Sequence, residues 1–246
     1  MRSAQIGILV LAAALPAAAQ VCTPRNFSGA YGYQLSGNTT ISGDSKPVAA
    51  IGRLEFNDQG GVAGVGSVNF AGYFLGNPVT GSYEVHTDCT ISWSLQDTSG
   101  AFQHFSGTVG PDLQRATFRQ TDPGGAGGGT LAKLASDCSN AASQGSFTFS
   151  ISGGAIPMNP GEVAHKISFE GTVTADAAGN LSLLRDGVAT PAGTAAVGAD
   201  CIVDMTVTPS PGASIKLRGV LVSGGKEILA IETDPGTAVN ARFHAR

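Results

Sequence analysis

The chain has 246 residues, 13% of them charged, with 35 glycines and a formal net charge of −4. It carries no basic patch or stripe, which excludes nucleic acid as a partner. Its apolar residues, 42% of the total, are spread among Gly, Ser and Thr, which excludes a disordered chain of low hydrophobicity and high charge.

The first 19 residues read as a secretory signal peptide. Arg2 gives a positive start, Ile6 and Leu15 bound an apolar run, and Ala17-Ala18-Ala19 is a small-residue cleavage site before Gln20. The apolar run is short for a membrane span. The mature chain is expected to be secreted or periplasmic, with no span of its own.

After the leader, Phe27, Gly29, Tyr31, Tyr33 and Leu35 alternate with small or polar residues, which predicts a half-buried strand. A second strand is expected over 48–56, with Val48, Ala50, Leu54 and Phe56 on one face. Residues 57–61, Asn-Asp-Gln-Gly-Gly, form a hairpin turn. A glycine-rich strand over 62–70 follows, with Gly64 and Gly66 marking a bend. Residues 83–85 run into the turn His86-Thr87-Asp88 and return over 89–95. There Cys89, Ile91, Trp93 and Leu95 point inward, and Thr90, Ser92 and Ser94 outward. Strands over 101–109 and 113–120 come next. Asp122-Pro123-Gly124 suits a type II turn, and a last strand covers 130–134.

Much of this recurs. Residues 81–124 and 193–236 align without a gap, 112 positions apart, with 11 of 44 identical: Gly81, Val85, Asp88, Cys89, Gly100, Ala101, Gly107 and Thr121-Asp122-Pro123-Gly124. The second copy has matching strands over 145–151, 163–175, 181–185, 201–207, 213–221, 225–232 and 238–243. About seven residues are missing from it after 185. Each copy holds seven to eight strands with one apolar face, and a meander that closes on itself removes exposed edges. The expected fold is all-β: two tandem antiparallel up-and-down β-barrels, with β-sandwiches as the alternative. The first repeat spans 20–135 and the second 136–246. With no linker between them, the two are expected to pack together.

Four cysteines in an exported chain are expected to pair. Three connectivities are possible. The repeat selects Cys22–Cys89 and Cys138–Cys201, because each pair lies within one copy at equivalent places. The spacings match no usual zinc pattern, and neither a metal nor a cofactor is expected.

The run Phe27-Ser28-Gly29-Ala30-Tyr31 and the later Gly81-Ser82-Tyr83, within a disulfide-bonded meander, resemble the calycin group, the lipocalins and avidins. The chain departs from those patterns. Gly29-Ala30-Tyr31 and Gly145-Ser146-Phe147 stand where lipocalins have Gly-x-Trp, and Trp93 is the one tryptophan. The resemblance implies a barrel that holds one small apolar ligand, and it carries no site residues over. The duplicated Asp-Cys segment is also similar to repeats in exported bacterial proteins.

Tyr31, Tyr33, Phe56, Trp93 and Phe105 are the candidate ligand-binding residues, since a closed barrel turns them inward. The competing reading is a core packed solid. The second copy has Phe147, Phe149 and Met205 in place of Tyr31, Tyr33 and Trp93, so a pocket would sit in the first. No catalytic motif is present: there is no Gly-x-Ser-x-Gly, His-Glu-x-x-His or phosphate loop. His86, His104 and His244 read as solvated, His165 as a rim residue, and Asp88 and Asp200 as turn formers. The expected function is that of a secreted, non-enzymatic structural or interaction protein of the bacterial envelope or exterior. The alternative is a barrel for a small lipophilic ligand. The expected partner is an envelope component or a small apolar ligand.

Overall fold

The computed structural model describes residues 21–41 and 43–246. The leader read from residues 1–19 lies outside the described residues.

The chain opens with one helical turn, α1 (Pro24–Phe27). Thr23 caps it, its Oγ1 accepting from the Asn26 amide at 3.2 Å, and Pro24 stands at the start, where no N–H is needed. Eight strands follow: β1 (Gly29–Ile41), β2 (Asp44–Phe56), β3 (Gly61–Phe70), β4 (Tyr73–Val85), β5 (Thr90–Asp97), β6 (Phe102–Val109), β7 (Arg115–Gln120) and β8 (Gly128–Lys133). They pair antiparallel in chain order. β8 returns to β1 from Tyr31↔Lys133 to Ser36↔Gly128 and closes the barrel.

The second barrel repeats the plan with β9 (Gly145–Ala155), β10 (His165–Ala175), β11 (Asn180–Arg185), β12 (Val188–Val197), β13 (Ile202–Ser210), β14 (Ala213–Val222), β15 (Glu227–Glu232) and β16 (Thr237–Ala245). β16 closes onto β9 from Phe147↔Ala245 to Ala155↔Thr237. The molecule is therefore all-β, built of two eight-stranded up-and-down meanders. Disulfides join Cys22 to Cys89 and Cys138 to Cys201, one within each copy. Among the described residues, no helix is long and apolar enough to cross a membrane.

Several details differ from the sequence reading, among them β12 (Val188–Val197), over which no strand was expected. Phe27 ends a helical turn instead of opening a strand. β4 begins at Tyr73, ten residues before the expected 83, because Gly76 and Pro78 hide its alternation. Pro78 is tolerated there: β4 pairs with β5 only from Val79 onward, so the missing N–H has no ladder partner to lose. Cys89 belongs to the turn, not to the returning strand. Its φ is 65° and its amide donates to the His86 carbonyl at 2.9 Å; Cys201 repeats this with φ 64° and a bond to Gly198. The Asp before each cysteine stabilises the turn. Asp88 Oδ1 accepts from the Thr90 amide at 3.0 Å and Asp200 Oδ1 from the Ile202 amide at 3.1 Å. The Thr90 amide and hydroxyl hold the Asp88 carboxyl below its ordinary value.

The repeated Thr-Asp-Pro-Gly also has a structural cause. Gly124 has φ 81° and the Gly125 amide donates to the Asp122 carbonyl at 3.0 Å, a type II turn. The Asp122 carboxylate then accepts from the His104 amide at 2.8 Å, tying the turn to β6. Asp234 does the same to the Lys216 amide at 3.2 Å.

The barrels share an apolar seam. Ala49, Ile51 and Ala132 of the first pack against Val220, Val222, Leu229 and Ile231 of the second. Gly32 makes room for Val220 and Val222. Polar groups lock the register. The Gln34 amide donates to the carbonyls of Ala230 and Ala241, at 2.7 and 2.9 Å, which face each other on β15 and β16 of the other barrel. Asn69 donates to the Glu232 carbonyl at 3.3 Å. Arg115 reaches across to the buried carboxylate of Glu227, which Arg242 also approaches at 3.4 Å. An ion pair of this kind is costly to break from one side, because the remaining charge has little water.

Candidate functional site

The five aromatics named from the sequence all belong to the single core of the first barrel, four of them buried in it and Tyr33 packed against it, and their ring contacts fall into two groups. At the end closed by α1, Phe27 stacks on Tyr31 with centroids 4.7 Å apart. Phe56 meets Tyr31 edge-on at 5.6 Å and Tyr83 edge-on at 5.0 Å. The Cys22–Cys89 bridge holds this plug to the barrel wall. Further along, Trp93 stacks on Phe105 at 5.1 Å, and Phe118 stands edge-on to both. Tyr33 packs against the same core without a ring contact to either group. Its ring lies over Gly52 and Gly66, and it is the one of the five that is only half-buried.

The polar handles near the plug are spent on the chain. The Tyr31 hydroxyl lies 2.9 Å from the carbonyls of Phe27 and Leu113. The Tyr83 hydroxyl bonds the carbonyls of Pro24, at 3.1 Å, and Asn57. Burial pushes the phenols of Tyr31 and Tyr33 well up, and that of Tyr83 to about 12, with Asp58 adding to the last. Sequence reasoning missed Phe27, Tyr83 and Phe118 as members of these groups. Tyr83 and Phe118 carry the inward phase of their strands, which was a usable signal. A four-residue helical turn has no period, so the plug left none.

The opposite end of the first barrel presents exposed apolar side chains. Tyr73 and Leu75 share the inward face with Phe70 and Val68, yet they are 62% and 50% exposed. This tip of the β3–β4 hairpin leans on the second barrel, where the Gly236 amide donates to the Gly72 carbonyl at 2.9 Å and Met158 packs beside Gly72. The loop carrying Met158 is braced by Glu162, whose carboxylate accepts from the amides of Met158 and Asn159 at 2.7 and 3.1 Å. Inside the second barrel, Glu232 is buried and its carboxyl is pushed up to about 7, by burial first and by Asp234 as well.

All four histidines are exposed. His104 does have a carboxylate partner that the sequence did not pair with it: its Nδ1 lies 2.7 Å from Asp122 Oδ1. Burial opposes ionisation of Asp122, but the amide and ring of His104 and the Gln120 amide outweigh it and hold the carboxyl below its ordinary value. Ser94 sits opposite His104 across the ladder. The same pair recurs as Lys216 and Asp234, 3.8 Å apart, where no imidazole exists. The pair therefore goes with the turn. Its signal was in the repeat, which aligns His104 with Lys216 and Asp122 with Asp234. Among the described residues, no three metal-ligating side chains gather.

No family model matches the chain, and no curated protein matches it. Among solved structures, it is similar to transferrin binding protein B from serogroup B Neisseria meningitidis. That alignment has 6% identity and a TM-score of 0.32, and covers 88% of this chain and 75% of that one. A transferrin binding protein B double mutant from Haemophilus parasuis Hp5 aligns at 8% identity and a TM-score of 0.31, over 89% of this chain and 76% of that one. Likeness at this level carries no argument about what this chain binds.

Proposed function

We propose that the chain is an exported, non-enzymatic interaction protein of the bacterial envelope or exterior, in two units over 20–135 and 136–246. One observation carries this reading. In the first barrel the aromatics near the plug pack on one another and the hydroxyls of Tyr31 and Tyr83 bond main-chain carbonyls, while Tyr73 and Leu75 stand exposed at the other end. Exposed apolar groups collected in one place mark a contact surface. The two disulfides support export, since such bonds persist in oxidising compartments.

A small lipophilic ligand in the first barrel is the second reading. Tyr33 favours it, because that half-buried ring stands over Gly52 and Gly66 on the inward face that also carries Tyr73 and Leu75. Here the ligand would enter past Tyr73 and Leu75.

The interaction reading is tested by binding of the purified mature protein to envelopes isolated from its own host. Saturable binding is expected, and the double variant Tyr73→Ser/Leu75→Ser is expected to weaken it by about tenfold or more, the loss of one or two anchor side chains. Equal binding by both proteins, or none by either, overturns the rim as the contact surface.

A further inference from the structure

The two barrels differ most where the second is shorter. β3 and β4 with their turn span 61–85; β11 and β12 with theirs span 180–197, seven residues fewer. In the first barrel the long hairpin covers β2 from Phe56↔Val62 up to Val48↔Phe70. In the second, β11 stays with β10 only from Ala175↔Leu181 to Val173↔Leu183. β10 runs on to His165, held on its other side by β9 along its whole length. From Thr172 back to Lys166, then, one edge of β10 has no strand paired with it among the described residues.

The phase of that edge is fixed. Backbone groups in an antiparallel ladder point alternately to either side. The Asp176 amide donates to the Asn180 carbonyl at 3.1 Å, so the backbone groups of Thr172, Glu170, Ser168 and Lys166 face the gap. Such a row is a template for another strand, and proteins guard it with charged side chains, lysine above all, with proline, a bulge or an inward charge. Between Lys166 and Thr172, β10 has no proline, no bulge against β9 and no inward charge; its guards are the outward Lys166 and Glu170 alone. Its inward side chains beside the gap are Ile167 and Phe169, which pack on the core yet stay only partly buried. Val188, at the tip of the short hairpin, is 62% exposed.

We propose that this edge binds an extended peptide strand of a partner polypeptide, paired antiparallel with residues 166–172. The first barrel defines the occupant. There residues 65–70 cover 48–53, with Gly66, Val68 and Phe70 facing inward. The partner strand takes the equivalent place, with apolar side chains at alternate positions closing over Ile167 and Phe169. Main-chain hydrogen bonds give such a complex its register, and the alternate side chains its selectivity. The proposal rests on the interaction reading and names a second surface for it.

The test is amide hydrogen exchange on the mature protein with both disulfides intact. The probe is a blocked synthetic peptide of this chain's own residues 64–70. In the free protein, the amides of Ser168, Glu170 and Thr172 are expected to exchange at least about tenfold faster than those of Ala49, Ile51 and Arg53, their counterparts on the covered strand. Saturating probe is expected to slow them by about fivefold or more, and a probe with proline in place of Ser67 to leave them unchanged. The variant Ser168→Pro removes one edge donor without touching the β9 ladder, and it is expected to fold and to lose the protection. Three results overturn the proposal: amides already protected in the free protein, protection that rises with protein concentration alone because a second copy covers the edge, or no slowing by the probe. Any of these, with envelope binding through Tyr73 and Leu75 intact, leaves the interaction reading standing. Loss of envelope binding with the probe effect intact does the reverse.

Discussion

The variant Cys22→Ala is expected to lower the stability of the first barrel by about 4 kcal/mol, the loop-entropy value for a closed loop of this length. The bridge spans a sequence separation of 67. It does more than close a loop. Cys22 leads directly into α1, and α1 places Phe27 against Tyr31, Phe56 and Tyr83. Without the bridge, that plug is held by one helical turn, too short to be stable by itself. Trp93 makes the measurement clean. It is the single tryptophan and lies in the core of the first barrel, so its fluorescence in a urea titration reports that barrel. Cys22→Ala also leaves the positive-φ residue Cys89 unchanged, which keeps turn strain out of the comparison. One free thiol should titrate, that of Cys89. A loss below about 1 kcal/mol would mean that α1 and the bridge are not what closes this end.

Gly81→Ala and Gly193→Ala are each expected to cost about 3 kcal/mol or more, as overpacking against backbone that cannot move aside. A methyl group at Gly81 would run into the Ser94 carbonyl oxygen, and one at Gly193 into that of Thr206. Gly193 also has φ 128°, outside what an alanine adopts easily. The two sites are the same site in the two copies, which is why the glycine survives where most residues around it have changed. Gly76→Ala is the control. Its new methyl would meet nothing nearer than Ser67 Oγ at 3.6 Å, and it is expected to stay within about 0.5 kcal/mol of the parent. Denaturant midpoints for the three variants decide the matter. Equal, small losses at all three positions would contradict the close approach of β4 to β5 and of β12 to β13.

Much of this architecture was legible because the chain states it twice. The shared phase of Tyr31 with Phe147 and of Leu35 with Ile151 marks β1 and β9 better than either copy does alone. The repeat also selects the disulfide pairing. What it could not show is where the copies meet. Gln34 and Asn69 look like ordinary outward polar residues, and only the facing barrel makes them buried donors. One signal was available: the unbroken apolar runs Val220-Leu221-Val222 and Ile228-Leu229-Ala230-Ile231 belong to strands buried on both faces. For the site, the inward phase of Tyr31, Phe56, Trp93 and Phe105 was readable. That Tyr31 and Phe56 would pack beneath Phe27, and Trp93 and Phe105 against Phe118, depends on packing that alternation does not specify. The missing seven residues were visible too, but their consequence for the β10 edge needed the register of both barrels.

If the first barrel's interior is filled by its own side chains and binding happens on the surfaces of the molecule, the mature protein purified gently from its native host carries no cargo. Extraction with organic solvent and mass spectrometry of the extract are then expected to show no stoichiometric small molecule. A single lipophilic compound recovered at one per chain, and lost in Trp93→Ala, would contradict this and make the first barrel a carrier.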